Sequence, residues 1–263
     1  MSSWSFTDLE FKVLCDLRRE GELPVPFVWT SDIPGLDEYE RQWREVSAEL
    51  TYRIDSALEA LLDAFTHPDV VVGAQVWSDT DFDNPDKRIR VHAGTRGSRA
   101  YLIEQLPGRT VQHAGGFTIR PVQPRGIGEA IAALLPTAPA GKRGPVVIDL
   151  DEPRPTDSFG FGSGSLIADE DEVGFSSKRF FDIDAVSTGS VQVVQGRSKY
   201  GPRGINRAGR VWRDLAGDGR YVMPLHHPAP EAVGMSSVAM TDWIDGEIAS
   251  ILERMDTFEE VDQ

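Results

Sequence analysis

Apolar residues first recur at helical spacing at Leu9, Val13, Leu14 and Leu17. Thr7 and Glu10 stand ahead of them at the Thr-x-x-Glu spacing of a capping box, and Gly21 stops the run. Leu23 to Trp29 carries Pro24 and Pro26 and reads as an extended segment, a candidate edge strand. From Leu36 to Phe65 there is no glycine or proline, and Leu36, Tyr39, Trp43, Val46, Leu50, Ile54, Leu58, Leu61, Leu62 and Phe65 keep one apolar stripe. That pattern predicts one long amphipathic helix or two in succession, closed by His67-Pro68.

The period then changes. Val70 to Trp77 is rich in β-branched residues, and Arg88 to Ala93 alternates polar and apolar as a half-buried strand does. Asp79 to Lys87 lies between them as an acidic loop. A turn at Gly97-Ser98 leads to a strand over Arg99 to Leu106, and Val111 to Val122 reads as a hairpin turning at Gly115-Gly116. Ile127, Ile131, Leu134 and Leu135 predict a short helix that Pro136 closes, followed by a linker from Pro136 to Pro145. The second half opens on an apolar run from Val146 to Leu150. Loops are expected over 151–188, with a short helix near Lys178 to Phe181. Strands are expected at Ser190–Gln195, Ala208–Asp214 and Arg220–Leu225, then a helix from Ser237 to Met255 and an acidic tail. Arg90-Val91, Gly97 and Tyr101 recur 120 residues later as Arg210-Val211, Gly217 and Tyr221. The expected architecture is α+β: one domain spanning 1–263, with a mainly antiparallel sheet in two pseudo-symmetric lobes, about 1–140 and 145–263, flanked by N- and C-terminal helices.

Composition narrows the function. Forty-two acidic against 27 basic residues give a net charge of −15. That disfavours nucleic acid and anionic lipid as partners, since both need a cationic surface. Cys15 is the only cysteine, so no internal disulfide and no multi-cysteine zinc site can form. The start lacks a basic region followed by an apolar run, and no stretch reaches the ~20 apolar residues of a membrane helix. A cytoplasmic protein is expected.

The search for chemistry yields little. Asp79, Asp81 and Asp83 alternate as in a calcium loop, but Asn84 and Arg90 occupy the places of its glycine and glutamate. Gly160 to Gly164 lacks the Gly-Lys-Ser/Thr of a phosphate loop, and Ser163 lacks the context of a hydrolase elbow. His67, His92, His113, His226 and His227 show no metal-binding spacing, and His92 reads as a surface or sheet-face residue. No catalytic residue, metal or cofactor is predicted.

Three stretches together resemble the EspG family of chaperones associated with ESX (type VII) secretion: Phe6 to Leu14 with Leu23-Pro24-Val25-Pro26; Arg88 to Gly97; and Gly189 to Val193 with Asp218 to Val222. The resemblance implies a cytosolic, non-enzymatic chaperone. Such a chaperone binds the helical tip of a PPE protein in a PE–PPE heterodimer, keeps it soluble and delivers it to the secretion machine, whose ATPase it meets at most indirectly. It implies contact through the loop between the second and third strands, the sheet face and the C-terminal helices. Carried onto this chain, the loop contributes Asp79, Asp81, Phe82 and Asp83, and the last helix contributes Met240, Trp243, Ile244, Ile248 and Ile251. The free protein is expected to be a monomer or homodimer. The alternatives are an adaptor or immunity-type protein for another polypeptide, or a nucleotide- or metal-dependent hydrolase using the 158–174 loop.

Overall fold

The structure, a computed structural model, describes residues 3–149, 176–198 and 200–260. A short edge strand, β1 (Trp4–Phe6), leads into α1 (Asp8–Arg18). The capping box is formed: the Thr7 hydroxyl accepts from Glu10 N, and Glu10 accepts from Thr7 N. The long apolar stripe divides into α2 (Leu36–Arg53) and α3 (Ser56–Thr66). Asp55 makes the division by accepting from Leu58 N at 2.7 Å, an N-cap inside an unbroken apolar pattern. Four strands follow: β2 (Val70–Trp77), β3 (Ile89–Arg96), β4 (Arg99–Pro107) and β5 (Ala114–Val122); then α4 (Ile127–Ala132). The second half comprises β6 (Val146–Val147), α5 (Ser177–Asp182), β7 (Ala185–Gln195), β8 (Arg207–Leu215), β9 (Arg220–Pro224), β10 (Glu231–Gly234) and α6 (Ser237–Glu260).

These strands form one ten-stranded sheet in the order β1-β5-β4-β3-β2-β7-β8-β9-β10-β6, with every neighbouring pair antiparallel. Two meanders, β2 to β5 and β7 to β10, meet along β2 and β7, where Ala74 pairs with Val191. Gly97 and Gly217 both turn with positive φ, so the residues matched at offset 120 lie on corresponding strands. Their registers differ, because the first turn closes on Arg96↔Arg99 and the second on Asp214↔Arg220.

Alternation along the strands builds two apolar faces. Ala100 and Leu102 of β4, with Val72, Val191, Trp212 and Val222, face α4 and α6. Tyr101 and Ile103 face the other way, into a core with Phe11, Leu62, Phe65 and Phe117 beneath α1, α2 and α3. In the second half this other face carries a smaller cluster of Ile148, Phe180, Tyr221 and Met223.

Several expectations need correction. Gly115 and Gly116 lie inside a continuous β5, and the connection from β4 turns through residues 108–113. A Cβ on Gly116, at φ +137°, would stand 2.7 Å from the Phe6 carbonyl, so the glycine serves the pairing of β1 with β5. Leu23 to Trp29 forms no strand: it crosses the sheet, with Val28 N donating to the Gln105 side chain. His92 is buried beneath that crossing, because β3 is covered on both faces. β7 starts at Ala185, inside the stretch expected to be loop. The expected linker packs along β9: Gly141 N donates to the Arg220 carbonyl and Arg143 N to the Tyr221 hydroxyl.

Candidate functional site

The two halves of the second face are covered unequally. Three helices fill it over β3 to β5, whereas among the described residues only α5 and the β6 edge approach it over β8 and β9. The result is a cleft of about 770 Å³. Its floor is the outward set of alternating residues: Thr188, Val211, Arg213 and Met223. Trp77, Ile148 and Phe181 wall it, the turn Leu225-His226-His227 forms one lip, and Phe82 overhangs it from the acidic loop.

Arg213 holds α5 in place by donating to the carbonyls of Phe180 (2.6 Å) and Ile183 (3.0 Å). Its guanidinium lies over the Phe180 and Phe181 rings, and burial lowers its pKa below the ordinary arginine value, with Asp79 and Asp184 opposing. The loop over residues 78–88 is braced from within. Asn84 caps the turn at Pro85–Lys87 and donates to Asp81 at 2.8 Å, and Lys87 pairs with Asp81 at 3.1 Å. Those two partners, Asn84 first, hold the Asp81 carboxyl below the usual carboxylate range. Thr188 Oγ1 donates to Asp79 at 2.8 Å, tying the loop to β7. Arg88 donates to the Phe82 carbonyl, and its guanidinium sits 4.5 Å from the Phe82 ring and 5.9 Å from that of Trp77. Phe82 is thereby presented over the cleft with 55% of its surface exposed.

The sequence-predicted residues separate into two groups. Asp79 and Phe82 line the cleft, and Asp81 and Asp83 belong to the same loop. Met240, Ile244, Ile248 and Ile251 are buried in the core between α6 and the sheet, on the face opposite the cleft. Trp243 is half-buried there beneath the Arg210 guanidinium. In the folded chain these α6 residues meet the sheet, and a partner reaches the four buried ones only by displacing the helix. Sequence reasoning passed over Trp77, Phe181, Val211, Met223 and Leu225, whose spacing is that of ordinary strand and helix residues. The glycine-rich run, Ser163 and the rest of the 158–174 loop lie outside the described residues. Among the described residues, no group of three His, Cys, Asp or Glu side chains is placed to hold a metal, and no helix is long and apolar enough to cross a membrane.

The arrangement offers shape and apolar surface with an acidic rim, which suits recognition of a protruding apolar segment. A family model described as the EspG family matches residues 7–239. No curated protein matches the chain. Among solved structures, the chain is similar to the Mycobacterium tuberculosis type VII secretion system chaperone EspG5, determined in complex with a PE25–PPE41 dimer. The identity is 14%, the alignment covers 96% of each chain, and the TM-score is 0.52. At that identity the likeness speaks for the fold: a large antiparallel sheet flanked by N- and C-terminal helices.

Proposed function

The chain belongs to the EspG family, a chaperone family, and on that premise we propose that it is a non-enzymatic, cytoplasmic chaperone of type VII secretion with a PE–PPE dimer as its client. The client's apolar end is seated in the cleft between the Phe82 loop, the β8–β9 face and α5. The observation that carries this reading is the open apolar cleft with the exposed Phe82 ring above it, in a chain matched to the family from residue 7 to residue 239.

The physics is that of patch removal. An exposed apolar tip on a secretion substrate drives self-association. Covering it stabilises by about 25 cal/mol per Å² of apolar area taken from water, offset by lost rigid-body and side-chain freedom. A standard interface of roughly 1,200–2,000 Å² gives binding that is specific yet reversible. The net charge of −15 keeps the loaded chaperone soluble. Asp79, Asp81 and Asp83 at the rim favour a client tip flanked by basic residues over one flanked by acidic residues.

Co-expression with PE–PPE pairs encoded in the same genome tests the proposal. A stable complex of three chains on size exclusion is expected with at least one pair. Failure with every pair, while the chaperone itself remains folded, overturns it.

A further inference from the structure

Two arginines at the foot of the Phe82 loop have no counter-charge. Arg88 and Arg90 stand two residues apart at the start of β3, so both side chains leave the same face of the strand. Arg90 is only 8% exposed, and Arg88 is half-buried. Nη2 of Arg90 donates to the Val111 carbonyl at 2.9 Å, while its Nε is buried with no partner. Nη2 of Arg88 is used on the Phe82 carbonyl at 3.0 Å, and its Nε is likewise buried and unpartnered. Among the described residues neither guanidinium is in an ion pair. Burial lowers the pKa of both, that of Arg90 to about 10; the charge of Arg88 pushes Arg90 further the same way, and Asp83 opposes the change at Arg88. Both side chains stay charged at neutral pH.

The two arginines line one small pocket between the Pro85–Lys87 turn, β4 and the 108–113 connection. Its volume is about 10 Å³, room for a single water-sized guest. Gln105, paired across the ladder with Arg90, lines it too. Its Oε1 accepts from Val28 N, which leaves the amide N–H groups to donate elsewhere. Thr110 and His113 complete the polar lining and are bonded to each other at 2.7 Å. Among the described residues no Asp or Glu lines the pocket, in a chain that has 42 of them. Asp32, the carboxylate beside His113, is taken by Arg109.

We propose that this pocket is a binding site for one small anion, with chloride as its occupant, held by the Arg88 and Arg90 guanidinia and the Gln105 amide. Buried charges in proteins are paired, and unpartnered buried N–H groups require an acceptor; one halide ion meets both requirements. Water supplies the acceptor but leaves two like charges uncompensated where the dielectric is low. The volume excludes phosphate and sulfate, each with four oxygens around a central atom. The bound anion cancels the repulsion between the arginines and so fixes Arg88 where it holds the Phe82 carbonyl and ring. The site belongs to the free chain and stands whether or not a PE–PPE client is found.

Urea unfolding of the full chain, with potassium chloride exchanged for potassium gluconate at constant ionic strength, tests it. For one ion bound only by the folded state, the unfolding constant should fall about tenfold for each tenfold rise in chloride once the site fills. Bromide should act as chloride does. Arg90→Met removes one of the two charges, and its unfolding constant should change by less than about twofold over the same range. Arg88→Gln, at the more accessible arginine, should lose the dependence equally and serves if Arg90→Met does not fold. General salt effects are common to all three proteins and cancel in the comparison. Crystals soaked in bromide should show an anomalous peak between the two guanidinia. Equal chloride dependence in the parent and the variants, or a bromide-soaked crystal with no peak in this pocket, overturns the proposal.

Discussion

Acidification should destabilise the protein through His92 at a pH where most of its carboxylates are still charged. The ring lies on β3 between Gly73 of β2 and Ile103 of β4, with the 23–29 crossing above it. Nδ1 is 2.8 Å from the Val25 carbonyl, which can only accept, so Nδ1 carries the proton; Nε2 then accepts from the Tyr101 hydroxyl at 3.2 Å. The neutral ring is fully satisfied and has no water to solvate a second proton. Burial pushes its pKa from 6.5 down to about 4, the Val25 bond opposes that change, and the charge of Arg19 adds to it. The unfolded chain therefore binds this proton more readily, and the stabilisation present above pH 6.5 is lost as pH falls toward 4. The gap between the two values is worth about 3 kcal/mol when fully expressed, of which about 2 kcal/mol falls between pH 7 and pH 5. That is a large share of a typical 5–15 kcal/mol stability. Urea unfolding at the two pH values, for the parent and for His92→Gln, measures it. The glutamine amide can still donate to Val25 but does not titrate. The variant is less stable at pH 7 and loses about 2 kcal/mol less than the parent on acidification. Asp32, Glu38 and Asp81, whose pKa values are lowered, act below this window, and Asp245, whose pKa burial raises, acts in the opposite direction. Subtracting the variant removes all four. Equal losses in the two proteins would refute the reasoning.

Phe82→Asp places a charge where an apolar anchor is expected, so client binding should weaken at least tenfold with the melting temperature unchanged; titration calorimetry with a purified PE–PPE pair reads it, and unaltered affinity removes Phe82 from the interface. Arg220 is buried, donates to both Asp214 oxygens at 2.7 and 2.9 Å and to the Pro136 carbonyl, and stacks on Trp212. Arg220→Met leaves that carboxylate buried without its cation and should cost about 3–5 kcal/mol in urea unfolding, most of it recovered by adding Asp214→Leu; no loss would mean the pair is solvated. Cys15 is fully buried and burial pushes its thiol up to about 12, so Ellman's reagent at pH 8 should label it only after denaturation, and rapid labelling of the native protein would contradict its position in the core.

Much of the chain was legible from local pattern. Thr7 and Glu10 announce α1, β-branched density marks β2, Pro136 closes the α4 region, and glycines with positive φ stand at the turns between β3 and β4 and between β8 and β9. Phe82 stood out as the one large apolar side chain in an acidic loop, and it does overhang the cleft. The α6 residues were harder, because an apolar stripe looks the same whether it faces a partner or its own sheet. Here it faces the sheet.

What the linear order determined by itself is most of the helices and central strands, because hydrophobic period and capping act over a few residues; the 23–29 segment, Gly115-Gly116 and the start of β7, where long-range pairing decides, it misread. What only the tertiary structure decided is which side of each strand is covered. β3 alternates as if half-buried, yet α3 and the 23–29 crossing close one face while α4 and α6 close the other, burying His92. β8 alternates too, but three helices cover the neighbouring half of the sheet, and among the described residues Val211 and Arg213 face a cleft. Period tells a strand that it has two faces; packing between segments far apart in sequence settles which of them meets water.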